Sequence, residues 1–230
     1  MAAQRIRTWF RKGERVRYIS HLDVLRYWER AIRRAGLPLS YSEGFTPHPK
    51  LAFAGPLPLG FLAESEVMDV TLDERIAVDD FRSRLAVEST PDLSLVDARE
   101  VALASAPPQA TVAWADYSVE IPGVSGDEVS AAVGAFLAAA SIPWVEERHE
   151  KSREYDLRAA VAMLTAEPWA EGVRLTMRLQ SDQQLTARPE QVVAAVVPGI
   201  ATGNITRTGL VLDEPSPAHD LWRRKGRFER

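Results

Sequence analysis

Two adjacent prolines, Pro107 and Pro108, sit in a stretch (residues 104–110, ASAPPQA) that carries neither helical nor strand periodicity. Proline has no amide donor and a fixed φ, so this stretch can form neither a helix interior nor a central strand. Residues 104–110 therefore read as a linker between two parts of similar length, residues 1–103 and 111–213, with residues 214–230 left over.

The two parts carry similar patterns. In the first, residues 5–10 and 15–19 read as strands around a Lys12-Gly13 turn, with Ile6, Trp9 or Phe10, Val16 and Tyr18 facing inward. Ser20 precedes an apolar 3.6-residue pattern and Asp23 follows three positions on, a capping-box arrangement with Asp in place of Glu. Gly36 and Pro38 end that helix. Residues 39–42 and 67–72 are expected as strands around a long loop, 78–87 as a helix and 93–101 as a closing strand. The order is β-α-β-β-α-β, the split βαβ pattern. In the second part residues 111–121 alternate as a strand and 125–140 form an alanine-rich helix. Residues 144–149 and 173–179 flank a segment of less definite period, 189–197 are helical and 204–212 close the pattern. The expected fold is α+β: two tandem ferredoxin-like (split βαβ) domains.

With 46% hydrophobic and 26% charged residues the chain is composed like a globular protein. No apolar run reaches the roughly 18 to 20 residues of a membrane helix, and the first residues lack the apolar core of a secretory signal. A cytoplasmic location is expected. There is no cysteine, which excludes disulfides, thiolate zinc sites, a cysteine nucleophile and a cysteine-ligated iron–sulfur cluster on this chain. None of the four histidines has a helical i, i+4 partner of the zinc-hydrolase kind, so neither a metal nor another cofactor is expected. Nucleophile-elbow, Walker, Rossmann and zincin motifs are absent as well.

The net charge of −4 hides a division: residues 1–50 hold eleven Lys/Arg against four Asp/Glu, whereas residues 51–213 hold twelve against twenty-five. Binding follows the local field rather than the total. On a helical wheel, Leu22, Val24, Leu25, Trp28, Ala31, Ile32 and Ala35 share one side, and Arg26, Arg30, Arg33 and Arg34 lie on the opposite arc with Asp23 and Tyr27. Such an arc is either a solvated face or one suited to phosphates, to which arginine offers a planar fork. His21 falls on the apolar arc, as a locally satisfied group or a neutral acid/base. The loop YSEGFTPHPK (residues 41–50) has two X-Pro bonds that stiffen Thr46 and His48, and it presents His48 and Lys50. Tyr41 and Phe45 are either core residues or platforms for a base. Glu64, Glu66 and Asp69 read as solvent-facing positions at a strand entry, the alternative being a divalent-ion site. The polar run of residues 151–158 reads as a hairpin tip, and residues 214–230, with Trp222-Arg223-Arg224-Lys225, as a mobile basic tail.

The run KGERVRYISHLDVLRYWERAIRRAGLPLSYSEGFTPHPKLAFAGPLPLG, with the acidic residues 64–69 and the later YDLR cluster, resembles the radical-SAM-linked (radical-SAM-associated) protein family, a domain of unknown function. Matching positions are Ser20, His21, Asp23 and Arg26 in the helix, and Tyr41, Ser42, Gly44, Phe45, Pro47, His48, Pro49 and Lys50 in the loop. The resemblance implies association with a radical-SAM enzyme, either fused behind such an enzyme or encoded beside it, often near genes for an E/G-type ribonuclease and ribosomal proteins. Without cysteine this chain is not itself a radical-SAM enzyme.

The expected function is that of an accessory protein to a separately encoded radical-SAM enzyme, binding or presenting RNA in RNA modification or ribosome-related metabolism. Arg26, Arg30, Arg33, Arg34, Tyr41, Phe45, His48 and Lys50 are the expected anion- or RNA-binding set. One alternative is a metal-free RNA-processing enzyme using His21, His48 and Lys50 as catalytic groups. Another is a module that docks only on the radical-SAM partner.

Overall fold

A computed structural model describes residues 2–148 and 151–213. Residues 214–230, read above as a mobile tail, lie outside the described residues.

The first half runs β1 (Gln4–Lys12), α1 (His21–Arg34), β2 (Leu51–Phe53), β3 (Leu62–Leu72), α2 (Val78–Val87) and β4 (Leu93–Val101). A 3-10 turn at Pro108–Ala110 then leads into β5 (Val112–Pro122), α3 (Gly126–Ala138), β6 (Pro143–Arg148), β7 (Lys151–Asp156), β8 (Val161–Trp169), β9 (Gly172–Gln180), α4 (Pro189–Val196) and β10 (Ile205–Leu212). The result is a mixed α+β fold with four α-helices among the described residues.

Eight strands form one sheet in the order β4-β1-β3-β10-β5-β9-β8, with β2 pairing β3 beside that path. All pairings within each half are antiparallel. The halves join where β10 runs parallel to the start of β3, Thr206 opposite Leu62 and Arg207 opposite Ala63. Farther along the same edge of β3, Leu51–Phe53 pair with residues 68–70. One strand edge thus serves β2 and β10 in succession. β6 and β7 form a separate hairpin.

Strand alternation decides which side chains meet the helices. Ile6, Phe10, Met68 and Val70 pack under Val24, Trp28 and Ile32 of α1 and Phe81 and Leu85 of α2. In the second half Tyr117, Val119, Leu175 and Met177 pack with Val129 and Val133 of α3 and Val192 and Val196 of α4. A smaller cluster of Ala54, Val67 and Val112, flanked by Trp9, Leu210 and Leu212, bridges the seam.

The helices at 78–87 and 189–197 and the strand at 93–101 form where their patterns place them, to within a residue. Five expectations are corrected. Residues 15–19 are not a strand: Glu14–Val16 make a 3-10 turn, and Tyr18 is 70% exposed. Residues 39–42 contribute only isolated bridges, Leu39 to Leu72 and Tyr41 to Pro49, because the strand pairing with β3 begins at Leu51. Leu22, placed inward on the wheel, is 60% exposed at the first turn of α1, beyond the reach of the sheet. Glu66 and Asp69 are not solvent-facing; both are buried, whereas Glu64 is exposed. Residues 151–156 form β7, a full arm of the hairpin rather than only its tip.

Candidate functional site

α1 begins where its sequence requires. The Ser20 hydroxyl accepts from the Asp23 amide at 3.2 Å and the Asp23 carboxylate accepts from the Ser20 amide at 3.3 Å, a reciprocal capping box. Donation from the Ser20 hydroxyl, at 2.7 Å, is the main reason the Asp23 carboxyl is held below its ordinary value.

The helix does not present its four arginines equally. Arg34 donates from Nε to the Glu88 carboxylate at 2.7 Å and from Nη2 to the Glu88 carbonyl at 3.2 Å, tying α1 to the end of α2. Arg26 lies 3.7 Å from Asp23, a loose pair between exposed groups. Arg30 and Arg33 are exposed, and neither makes an ion pair among the described residues. The basic arc therefore reduces to Arg26, Arg30 and Arg33.

The loop is anchored to the same helix. The Tyr41 hydroxyl donates to Glu29 at 3.3 Å, and its ring packs against the first-half core, so Tyr41 positions the loop rather than standing free. Burial, and then the Glu29 charge, push the Tyr41 phenol up. The tip is closed by the Ser42 amide donating to the His48 carbonyl at 2.8 Å and the His48 amide donating to the Ser42 hydroxyl at 2.9 Å. Gly44, at φ +126°, turns the chain inside this closure. Phe45 stands fully exposed on the tip, and His48 and Lys50 are also exposed.

His21 belongs to different surroundings. Its ring meets Phe53 edge-on, centroids 4.9 Å apart, and it lines a narrow recess with Phe10, Val24, Lys12 and Glu66. The recess has a volume of about 20 Å³, room for about one water. His48 and Lys50 are not among its walls. Lys12 is buried there and donates to the carbonyls of Arg17 at 2.7 Å and Phe61 at 3.3 Å. Burial pushes its ammonium down from 10.5, with Glu66 opposing.

Two buried ion pairs escaped the sequence reading. On the helix side of the sheet, Arg207 Nε donates to Glu66 at 2.6 Å and a second nitrogen bonds the other carboxylate oxygen. Burial alone would push this guanidinium down, but Glu66 outweighs it and the Tyr117 hydroxyl adds a hydrogen bond, so it is raised. On the other side, Arg7 grips Asp69 at 2.6 and 2.9 Å, with Arg5 at 3.4 Å. The available signal was Glu66 and Asp69 flanking Val67-Met68 and followed by Val70: a carboxylate within an apolar strand needs a buried cation.

Glu66 lines the narrow recess, while Arg207 lines a larger groove of about 520 Å³. Leu57, Phe61, Tyr117, Asp182, Arg188 and Glu190 are among the walls of that groove. Among the described residues no group of three or more His, Asp or Glu side chains could hold a metal ion.

Fold and site together define a mixed α+β protein with a basic helix-and-loop face and a polar groove over the seam of its sheet. The chain belongs to a family described as an uncharacterized protein conserved in bacteria (DUF2344), whose model matches residues 5–189. No curated protein matches the chain. Among solved structures, a chain from the crystal structure of a Cbf5-Nop10-Gar1 complex is 12% identical with a TM-score of 0.49, over 88% of this chain and 49% of that one. An unknown protein from Galdieria sulphuraria is 15% identical with a TM-score of 0.26, over 87% of this chain and 96% of that one. This chain thus spans about half of the first structure's chain, and both likenesses are too loose to transfer a role.

Proposed function

We propose that this chain is a non-catalytic accessory protein that binds or presents RNA for a separately encoded radical-SAM enzyme, in RNA modification or ribosome-related metabolism. The observation that carries the RNA reading is the pairing of a closed, stiff loop bearing Phe45, His48 and Lys50 with a helix whose Arg30 and Arg33 make no ion pair among the described residues. Guanidiniums suit phosphate oxygens and an exposed ring suits an unpaired base. A loop already closed loses little entropy on binding. The partner is inferred from the family resemblance of the helix and loop motifs, and the absence of cysteine assigns any radical chemistry to that partner. A cytoplasmic location is part of this reading.

We read the halves as tandem ferredoxin-like units. Support comes from the strand orders β4-β1-β3-β2 and β10-β5-β9-β8, each with its fourth, first, third and second strands side by side, counting β5, β8, β9 and β10 in the second half. The hairpin of β6 and β7 is then an insertion. A joint acid/base role for His21, His48 and Lys50 finds less support, since His21 faces Phe53 in a recess that the other two do not line.

The test is binding of single-stranded RNA followed by fluorescence anisotropy across a salt series. Six phosphate contacts predict a slope of log K against log salt of about −4. Arg30→Glu with Arg33→Glu should flatten that slope and weaken binding at least about tenfold. Binding that is absent or independent of salt, with or without the partner enzyme, overturns the RNA reading. Co-purification of the enzyme that survives nuclease and is lost with Arg26, Arg30 and Arg33 reversed to Glu would establish protein docking in its place.

A further inference from the structure

The groove over the seam differs in chemistry from the basic face. At about 520 Å³ it falls within the range of roughly 300–1,000 Å³ typical of small-molecule sites. Its two arginines are neutralised: Arg207 by Glu66, and Arg188 by Glu146 at 3.5 Å. Asp182 is also committed, accepting from Gln180 at 2.7 Å and from the amides of Gln184 and Leu185 at 2.8 Å. Glu190, in the first turn of α4, makes no hydrogen bond or ion pair among the described residues and stands near enough to Tyr117 to act on its phenol. The groove thus offers an apolar wall at Leu57 and Phe61, a phenol–guanidinium floor, and, of its two carboxylates, one at the rim that is uncommitted among the described residues, Glu190.

An anion would meet Glu190 with no unpaired cation to offset it. A neutral flat ring bearing an amino group would place its ring against the apolar wall and its N–H on the carboxylate. Carboxylates accept in this way from the exocyclic amine of cytosine. We propose that this groove binds an amino-bearing nucleobase, supplied as a free nucleoside or as an unpaired nucleotide of single-stranded RNA. The second source rests on the RNA reading above; the first does not.

The probes are cytidine, uridine, oligocytidylate and oligouridylate, titrated calorimetrically against the full chain. Two variants accompany it, with circular dichroism verifying their fold. Thr186→Trp blocks the groove from an exposed wall position, and Glu190→Gln keeps the size of the side chain but replaces an acceptor-only group. Cytidine should bind about tenfold more tightly than uridine. Thr186→Trp should abolish both, and Glu190→Gln should remove most of the preference. Equal or absent binding of the two nucleosides, together with oligonucleotide binding unchanged by either variant, overturns the proposal. If RNA binding is lost on reversing Arg30 and Arg33 but ignores both groove variants, the groove site fails and the RNA reading survives. If cytidine binding responds to Glu190→Gln while no RNA binds, the groove site stands and the RNA reading fails.

Discussion

Glu66 and Arg207 lie 141 positions apart in sequence, yet they form a buried two-point contact at the seam of the sheet. Each is 5% or less exposed, so removing one leaves the other charged without solvent. Glu66→Ala should therefore cost about 3–5 kcal/mol in urea unfolding, while replacing both by apolar residues of similar volume should cost much less. Lys12, beside them, leads to a pH prediction. Its ammonium is depressed below 10.5 in the folded state, so between the lowered value and 10.5 the unfolded chain binds more protons. Stability contributed at this position then rises with pH across that window, and the cost of the buried charge is fully present below it. Urea unfolding of the protein and of Lys12→Met at stepped alkaline pH should show the unsubstituted protein gaining on the variant. A pH-independent difference would refute the assignment. In the sequence Lys12 looked like part of a turn, because its surroundings are supplied by the Phe61 carbonyl and Glu66, both distant along the chain.

α1 and its loop show how far local signals reach. The Ser20/Asp23 cap was legible because all of its partners lie within one turn of helix. Ser20→Ala should lower stability by about 1 kcal/mol, read as a shifted urea midpoint with an unchanged slope, whereas Phe45→Ala at the exposed tip should leave the midpoint where it is. The arginine arc was legible only as an arc. That Arg34 is held by Glu88, while Arg30 and Arg33 make no ion pair among the described residues, depends on how α2 packs beside α1. Residues 15–19 and 39–42 carry strand-like side chains but form a 3-10 turn and isolated bridges. A strand exists only where an edge is available, and that edge of β3 is taken by β2 and β10.

The two halves share one sheet through only two parallel residue pairs, backed by Glu66–Arg207 and by Arg17 donating to Asn204 at 3.0 Å. Since the seam buries charges that neither half can satisfy alone, the whole chain should unfold in a single transition. Tryptophan fluorescence and far-UV circular dichroism should give coincident urea curves, and Glu66→Ala should separate them. Noncoincident curves for the unsubstituted protein would mean that the halves are independent. The β-α-β-β-α-β order of the first half and the cap of α1 were present in the chain as written, because hydrophobic period and capping act over a few residues. The joining of the halves, the burial of Glu66 and Asp69, the separation of His21 from His48 and Lys50, and the groove facing Glu190 were not. Each depends on groups brought together from far along the chain, and no local pattern records which distant partner will neutralise a charge or complete a strand edge.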